Sequence, residues 1–298
     1  MSYKRLLALE VLLQQEVDEL FALAEAADGM LPERMNVEEE IERRQQRLDR
    51  LAEAKKVLEA RAQAHYEEEL AEYETKLRDR EEKAAQTGQK PRGPTPKPPT
   101  LGPGDKDQYN FTDPDSRIMK NATNSGFDQH YNVQVAVEHD SRLIMGNWLC
   151  NQANDKQAAL PTIDSIAPEI GKPQSVNLDT GYFSQANIEG LEALGIDPLI
   201  ATGRTPHHKS WREFFAEEPS PPAETASIKE KMAYKLRTDS GSALYRLRKS
   251  TVEPVIGIIK EVLGFRQFSL RGELNAAGEW TLVCLAYNLK RLHTLHTT

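Results

Sequence analysis

Cysteine is nearly absent from this chain: there are two in 298 residues, Cys150 and Cys284. They lie far apart, in apolar contexts and without metal-ligand spacing, so neither a disulfide framework nor a thiolate metal site organises the fold; two buried thiols are expected. Long hydrophobic runs are missing as well. No window approaches the roughly 18 apolar residues that span a bilayer. The opening Met1-Ser2-Tyr3-Lys4-Arg5 has neither the apolar core nor the cleavage site of a secretory signal, so no membrane partner is expected and the cytoplasm is the expected compartment. An excess of positive charge is lacking too. A net charge of −8 excludes a protein that coats nucleic acid indiscriminately.

The charge is unevenly distributed. Residues 1–104 hold 17 basic and 22 acidic side chains, and residues 105–298 hold 21 and 24. Between Lys235 and Arg271, however, eight basic residues face three acidic ones. Positive charge therefore gathers around Glu253.

Three regions follow from the patterning, with boundaries at 1–85, 86–108 and 109–298. Residues 3–27 carry Leu6, Leu9, Leu13, Val17, Leu20 and Leu23, the spacing of an amphipathic helix, stopped by Asp28-Gly29 and Pro32. A second helical pattern runs from Glu33 to Ala85 on a thin stripe that includes Ile41, Leu48, Leu51, Leu58, Tyr66 and Leu77. Roughly 50 helical residues would reach about 75 Å, which predicts a protruding antiparallel hairpin or a coiled coil. Residues 86–108, with Pro91, Pro94, Pro96, Pro98, Pro99 and Pro103, form a semi-rigid extended linker.

Beyond the linker the reading is of an α/β domain. Strands are expected at 109–112, 131–137, 142–149, 175–178 and 197–202. Val133, Val135 and Val137 line one face of the second strand, with Asn132 and Gln134 on the other. Helices are expected at 154–166, 185–194, 227–236 and 242–262, with an irregular Pro/Glu-rich stretch at 205–224. The order β-β-β-α-β-α-β-α, starting with a three-stranded antiparallel meander, is the ribonuclease H-like arrangement.

Three acids stand where such a fold brings strand ends and a late helix together: Asp113, Asp179 and Glu253. Hydrolysis or transfer of a phosphodiester needs an activated attacking oxygen and a stabilised leaving oxygen. Two Mg²⁺ or Mn²⁺ ions about 4 Å apart, held by carboxylates, supply both. Asp115 is the alternate to Asp113. Arg248, Lys249 and Lys260 surround Glu253 with charge suited to DNA phosphates. Other features read more plainly. Asn154-Asp155 reads as a helix cap, His207-His208 as a solvated pair, Trp280 and Tyr287 as core, and Tyr182 and Phe183 as packing beside a strand. Thr180-Gly181 reads as a tight turn that lets Asp179 face the site.

Seven phrases in order carry a resemblance: Thr112 to Lys120, Tyr131 to Gln134, Asn154 to Gln157, Asp179 to Ser184, Ile200 to Arg204, Thr251 to Val255, and Trp280 to Leu289. Over Phe111 to Leu292 the chain resembles the catalytic domain of bacterial insertion-sequence transposases of the DDE class. The resemblance implies Asp113, Asp179 and Glu253 as a metal-binding triad, and a homodimer acting on double-stranded DNA at transposon ends and target, associated with the nucleoid when bound. It also implies a tyrosine, arginine, glutamate, lysine signature on the late helix. Lys260 and Glu253 fall in place, Lys249 stands at the arginine position, and Tyr245 is one residue out of phase. These transposases carry a DNA-binding region ahead of the hairpin. No helix-turn-helix pattern precedes residue 3, so an N-terminally truncated copy is expected, with a catalytically silent DNA- or protein-binding remnant as the alternative.

Overall fold

The computed structural model describes residues 1–26, 36–88, 93–121, 126–203, 220–223 and 225–297. The Asp28-Gly29 stop, His207-His208, Arg204 and most of the 205–224 stretch lie outside them. The chain divides into two compact units, Met1–Pro114 and Asp115–Thr298.

The first unit is built on α1 (Tyr3–Ala26) and α2 (Val37–Thr87). Asn36 caps α2 by accepting a hydrogen bond from the Glu39 amide. Glu38, Glu39 and Glu40 in its first turn complement the positive helix terminus. At its far end Gly88 takes the left-handed conformation that closes the helix. The two helices run antiparallel, as cross-links show: Tyr3 to Glu59, Lys55 to Glu10 and Arg44 to Glu16. Leu6 and Leu13 pack with Leu51, Ala54 and Leu58, and Val17 and Leu20 with Val37 and Ile41. An intramolecular hairpin thus accounts for the first half of α2. After Leu58 no described residue of α2 is fully buried, because α1 is about half as long.

The end of the Pro-rich segment returns to this hairpin. The Tyr109 amide donates to the Met1 carbonyl at 2.9 Å and the Tyr3 amide to the Asp107 carbonyl at 2.8 Å. Tyr109 joins the core of the hairpin, edge-on to Phe111 and beneath the Arg61 guanidinium. The strand expected at 109–112 is therefore not formed. Its aromatic residues satisfy themselves against helices rather than in a sheet.

The second unit mixes strands and helices, an α/β composition. Its strands are β1 (Arg117–Lys120), β2 (Phe127–His130), β3 (Asn132–Val137), β4 (Ile144–Cys150), β5 (Ser175–Leu178) and β6 (Asp197–Ile200). Among the described residues they pair two by two: β1 with β2 and β3 with β4 antiparallel, β5 with β6 parallel. The β1–β2 hairpin was not expected from the sequence, which has no apolar alternation there. The helices are α3 (Ala159–Asp164), α4 (Gln185–Ala193), α5 (Ile228–Lys235), α6 (Asp239–Arg246), α7 (Arg248–Glu261) and α8 (Glu273–Thr297). The single helix expected at 242–262 is two, broken at Leu247, which ends α6 and precedes α7.

The main core of this unit joins Ile144 and Leu149 of β4, Val255 and Ile259 of α7, and Trp280, Cys284 and Tyr287 of α8, with the three β3 valines packed against it. Both cysteines are free and buried, and Trp280 and Tyr287 are core, as their pattern predicts. Polar side chains fix the register of α8 on the sheet. Asn288 donates to the Ile144 carbonyl at 2.7 Å and accepts from the Ile144 amide at 2.8 Å. Tyr287 and Arg291 donate to the Arg142 and Ser141 carbonyls.

Candidate functional site

Asp179 follows β5 and opens a single 3-10 turn, Thr180–Tyr182. Its Oδ1 accepts from the Gly181 amide at 2.7 Å, which fixes the carboxylate over the turn. Gly181 does not adopt a positive φ, so the turn does not demand glycine for backbone freedom. What matters is the missing side chain. A Cβ on Gly181 would lie 3.0 Å from both Asp179 Oδ1 and Asp155 Oδ2. Two carboxylates thus converge on the space in front of this glycine.

Asp155 is not the helix cap that its sequence suggests. The residue before α3 is Ala158, with no side-chain cap, and the Asp155 side chain is used elsewhere. Its Oδ1 accepts from Asn132 Nδ2 at 2.7 Å and from Gln134 Nε2 at 2.9 Å. Asn132 and Gln134 occupy the polar face of β3, and Gln134 is buried. Gln134 Nε2 is also shared with Asn132 Oδ1 at 2.9 Å, and Gln134 Oε1 accepts from the Tyr182 hydroxyl. The chain of contacts runs from β3 through both amides to Asp155, and back through Tyr182 to the Asp179 turn. With Oδ1 so held, Oδ2 is left toward Gly181.

Electrostatics agree with this proximity. Burial raises the Tyr182 hydroxyl pKa far above its ordinary value, and the negative charges of Asp155 and Asp179 add to the rise. Tyr245 on α6 is raised as well, by burial and by Asp179, against the opposing pull of Arg248. The Arg248 guanidinium sits 5.7 Å from the Tyr245 ring centroid. Its Nε is buried without a hydrogen-bond partner, as is Asn177 Oδ1 on β5. Both residues line a cleft of about 480 Å³ bordered by β3, β5, Tyr182, Thr251 and Val252. Asn177 Nδ2 donates to the Leu244 carbonyl at 3.0 Å, tying β5 to α6.

The remaining residues singled out by sequence fall as follows. Glu253 is on the exposed face of α7 together with Lys249 and Lys260; the buried face carries Thr251, Val255 and Ile259. Arg248 is half-buried against Tyr245 rather than displayed with them. It is three residues from that tyrosine and shares its one-residue offset, so the aromatic–cation pair is Tyr245–Arg248 and Lys249 stands apart. Asp115 Oδ2 accepts from the Glu273 amide at 3.1 Å, at the start of α8. Burial, then Asp115, raises the Glu273 carboxyl. Asp113 is buried in the first unit, whereas Asp179 and Glu253 are in the second. Among the described residues no three His, Cys, Asp or Glu side chains gather closely enough to hold a metal ion. Mg²⁺ needs fewer: one or two carboxylates plus substrate phosphates and water suffice. The Asp155–Asp179 pair, two hard-oxygen donors on a space that no side chain fills, fits such an ion.

Among the described residues no helix is long and apolar enough to cross a membrane. Comparison with protein families matches the transposase DDE domain over residues 103–289. No curated protein and no solved structure matches the chain.

Proposed function

Because the chain belongs to the transposase DDE domain family, we propose that it cleaves DNA strands at transposon ends and joins them to a target, with divalent metal at a carboxylate site. The observation that carries this reading is the convergence of Asp155 and Asp179 on Gly181. Mg²⁺ or Mn²⁺ bound there would polarise the phosphodiester and acidify an attacking water. Asp179 is the central ligand, and the family pattern adds Asp113 and Glu253. Asp115, spent on α8, is the weaker candidate for the first position.

The chain's own side chains do the rest. Asn132 and Gln134 orient Asp155, and the Tyr182 phenol stays protonated as a donor to Gln134. An orphaned Arg248 Nε costs about 1–3 kcal/mol, and a phosphate oxygen in the cleft would satisfy it. Lys249 and Lys260, exposed on α7, contact the DNA backbone and set register without reading sequence. We read the second unit as ribonuclease H-like and the active species as a homodimer.

Titration of the purified chain with Mn²⁺, alone and with a short DNA duplex, tests the site. Wild type is expected to bind and Asp179→Asn to lose binding, with strand cleavage lost in parallel. Equal binding by the two proteins would reject a metal site at Asp179. Binding without cleavage of any duplex would favour the silent remnant.

A further inference from the structure

Asn187, in the first turn of α4, is only 2% exposed. Its side-chain Nδ2 carries two N–H groups, and both are used. One donates to the Lys156 carbonyl at 2.8 Å, the other to the Tyr182 carbonyl at 2.7 Å. Lys156 directly follows Asp155, and Tyr182 closes the 3-10 turn that Asp179 opens. One buried amide nitrogen therefore joins the two segments that carry the converging carboxylates. The seat of α4 comes from elsewhere: Ile188 packs with Ile200 and Met232, and Leu191 with Ile163 and Ile196. A buried amide that the packing of its own helix does not require is accounted for by what it holds.

We propose that Asn187 is a positioning residue that sets the separation of Asp155 and Asp179, an inference that rests on reading those two as a metal-binding pair. Asn132 and Gln134 aim the Asp155 carboxylate, and the Gly181 amide aims that of Asp179. Aim alone leaves the spacing of the two backbones open. The Tyr182–Gln134 contact links the turn to β3 through two side chains, each with its own rotamers. Asn187 instead links main chain to main chain through one planar group on a seated helix. Chemistry selects the residue type. A serine or threonine offers one O–H, an aspartate of the same shape offers no N–H, and asparagine brings two donors on one atom. Spacing matters most to Mg²⁺, which demands near-octahedral geometry at about 2.0–2.1 Å. Ca²⁺ accepts looser arrangements at about 2.3–2.6 Å. A pair held at fixed separation therefore favours the smaller ion, and a loosened pair gives up that preference.

Competition of Mg²⁺ and Ca²⁺ against Mn²⁺ on the full chain, followed by electron paramagnetic resonance, tests the proposal. Asn187→Leu, close in volume and without donors, should weaken Mg²⁺ at least ~10-fold and Ca²⁺ less than about threefold. Asn187→Ser leaves room for water at the two carbonyls and so keeps the fold; it should shift the preference the same way by a smaller factor. Leu191→Ala loosens the same helix without touching either carbonyl. It should lower the Tm and leave the Mg²⁺-to-Ca²⁺ ratio unchanged, because a smaller folded fraction weakens both ions equally. Wild-type ratios in both Asn187 variants would overturn the proposal, as would an equal shift in Leu191→Ala. Hydrogen exchange without metal reads the tie itself. The Ala158, Tyr182 and Phe183 amides close turns on Asp155, Asp179 and Thr180. In the Asn187 variants all three should exchange faster, with the β3–β4 ladder unchanged. Acceleration in neither segment, in one alone, or throughout the unit would overturn the proposal. A wild type that binds none of the three ions would reject the metal reading, and exchange would still decide whether Asn187 joins the two segments.

Discussion

Gly181→Ala separates the space in front of the carboxylates from the fold that creates it. The new Cβ would stand 3.0 Å from Asp155 Oδ2 and from Asp179 Oδ1, closer than ordinary van der Waals contact. Both oxygens must retreat by a few tenths of an ångström, and the Gly181 amide bond to Asp179 at 2.7 Å must adjust with them. Misplacing a reacting geometry by 1 Å costs about 10²-fold. A shift of a few tenths at two donors therefore predicts roughly a tenfold loss of Mn²⁺ affinity, about 1.4 kcal/mol. Stability responds differently. The backbone at Gly181 does not take a positive φ, so alanine incurs no left-handed strain and gains about 0.4–1 kcal/mol by restricting the unfolded chain. Crowding offsets that gain, and the net change stays within about 1 kcal/mol, a Tm shift of about 2–4 °C.

Mn²⁺ titration followed by electron paramagnetic resonance measures the first quantity, and thermal unfolding by near-ultraviolet circular dichroism the second. An unchanged Mn²⁺ affinity in Gly181→Ala, alongside its loss in Asp179→Asn, would refute the claim that the metal occupies the space the glycine leaves. A Tm lowered by more than about 10 °C would refute the claim that the glycine serves the carboxylates and not the fold.

Removing the two-way clamp on β4 by Asn288→Ala should destabilise the second unit by about 2–3 kcal/mol, since it leaves the Ile144 amide and carbonyl short of a partner; chemical denaturation measures it. Trp280→Ala should cost about 3–5 kcal/mol, because the ring is buried and donates from Nε1 to the Gln134 carbonyl. Burial pushes the Cys284 thiol up to about 12 and raises Cys150 as well. Both should resist alkylation at pH 8 in the native protein and react promptly in denaturant, and fast native labelling would contradict their placement. The Tyr182 pKa is raised in the folded state above the ordinary 10.0, so folding favours its protonated form. Its contribution is whole below pH 10 and is lost as pH rises above it. Tyr182→Phe should therefore flatten the loss of unfolding free energy above pH 10, and identical slopes for variant and wild type would argue against the buried phenol.

Where this chain is legible, the signal is local. The leucine stripe of α1 and the valine alternation of β3 each specify an element from residues a few positions apart. The strand expected at 109–112 failed for a related reason: aromatic residues read as strand when nothing local says what will cover them, and here the helical hairpin does. The β1–β2 hairpin escaped because Arg117–Lys120 and Phe127–His130 bury neither face fully and so lack a period.

Asp155 shows why the pairing of its carboxylate with that of Asp179 was only half legible. Asn154-Asp155 ahead of an apolar helix has the composition of a cap, and a cap would account for it within four residues. The structure gives that aspartate partners 23 and 21 residues earlier, Asn132 and Gln134. Neither amide had a role in the sequence beyond marking the polar face of a strand. A signal was nevertheless present. Gln134 is an amide on a strand whose neighbours are valines, and it lies on the side away from them. Such a face is either solvent-exposed or committed to a polar network, because a buried amide without partners is costly. Gln134 is buried, so the network was required, and the acid of the Asn154–Gln157 phrase was the partner to look for. Asp179 could be found from its own turn. Asp155 could be found only through the groups that hold it, which makes Gln134→Leu an informative perturbation. It should free Asp155 from one of its two donors, remove the acceptor of Tyr182, and weaken Mn²⁺ binding while both carboxylates remain. Full retention of affinity in that variant would mean that Asp155 takes its position without the amides of β3.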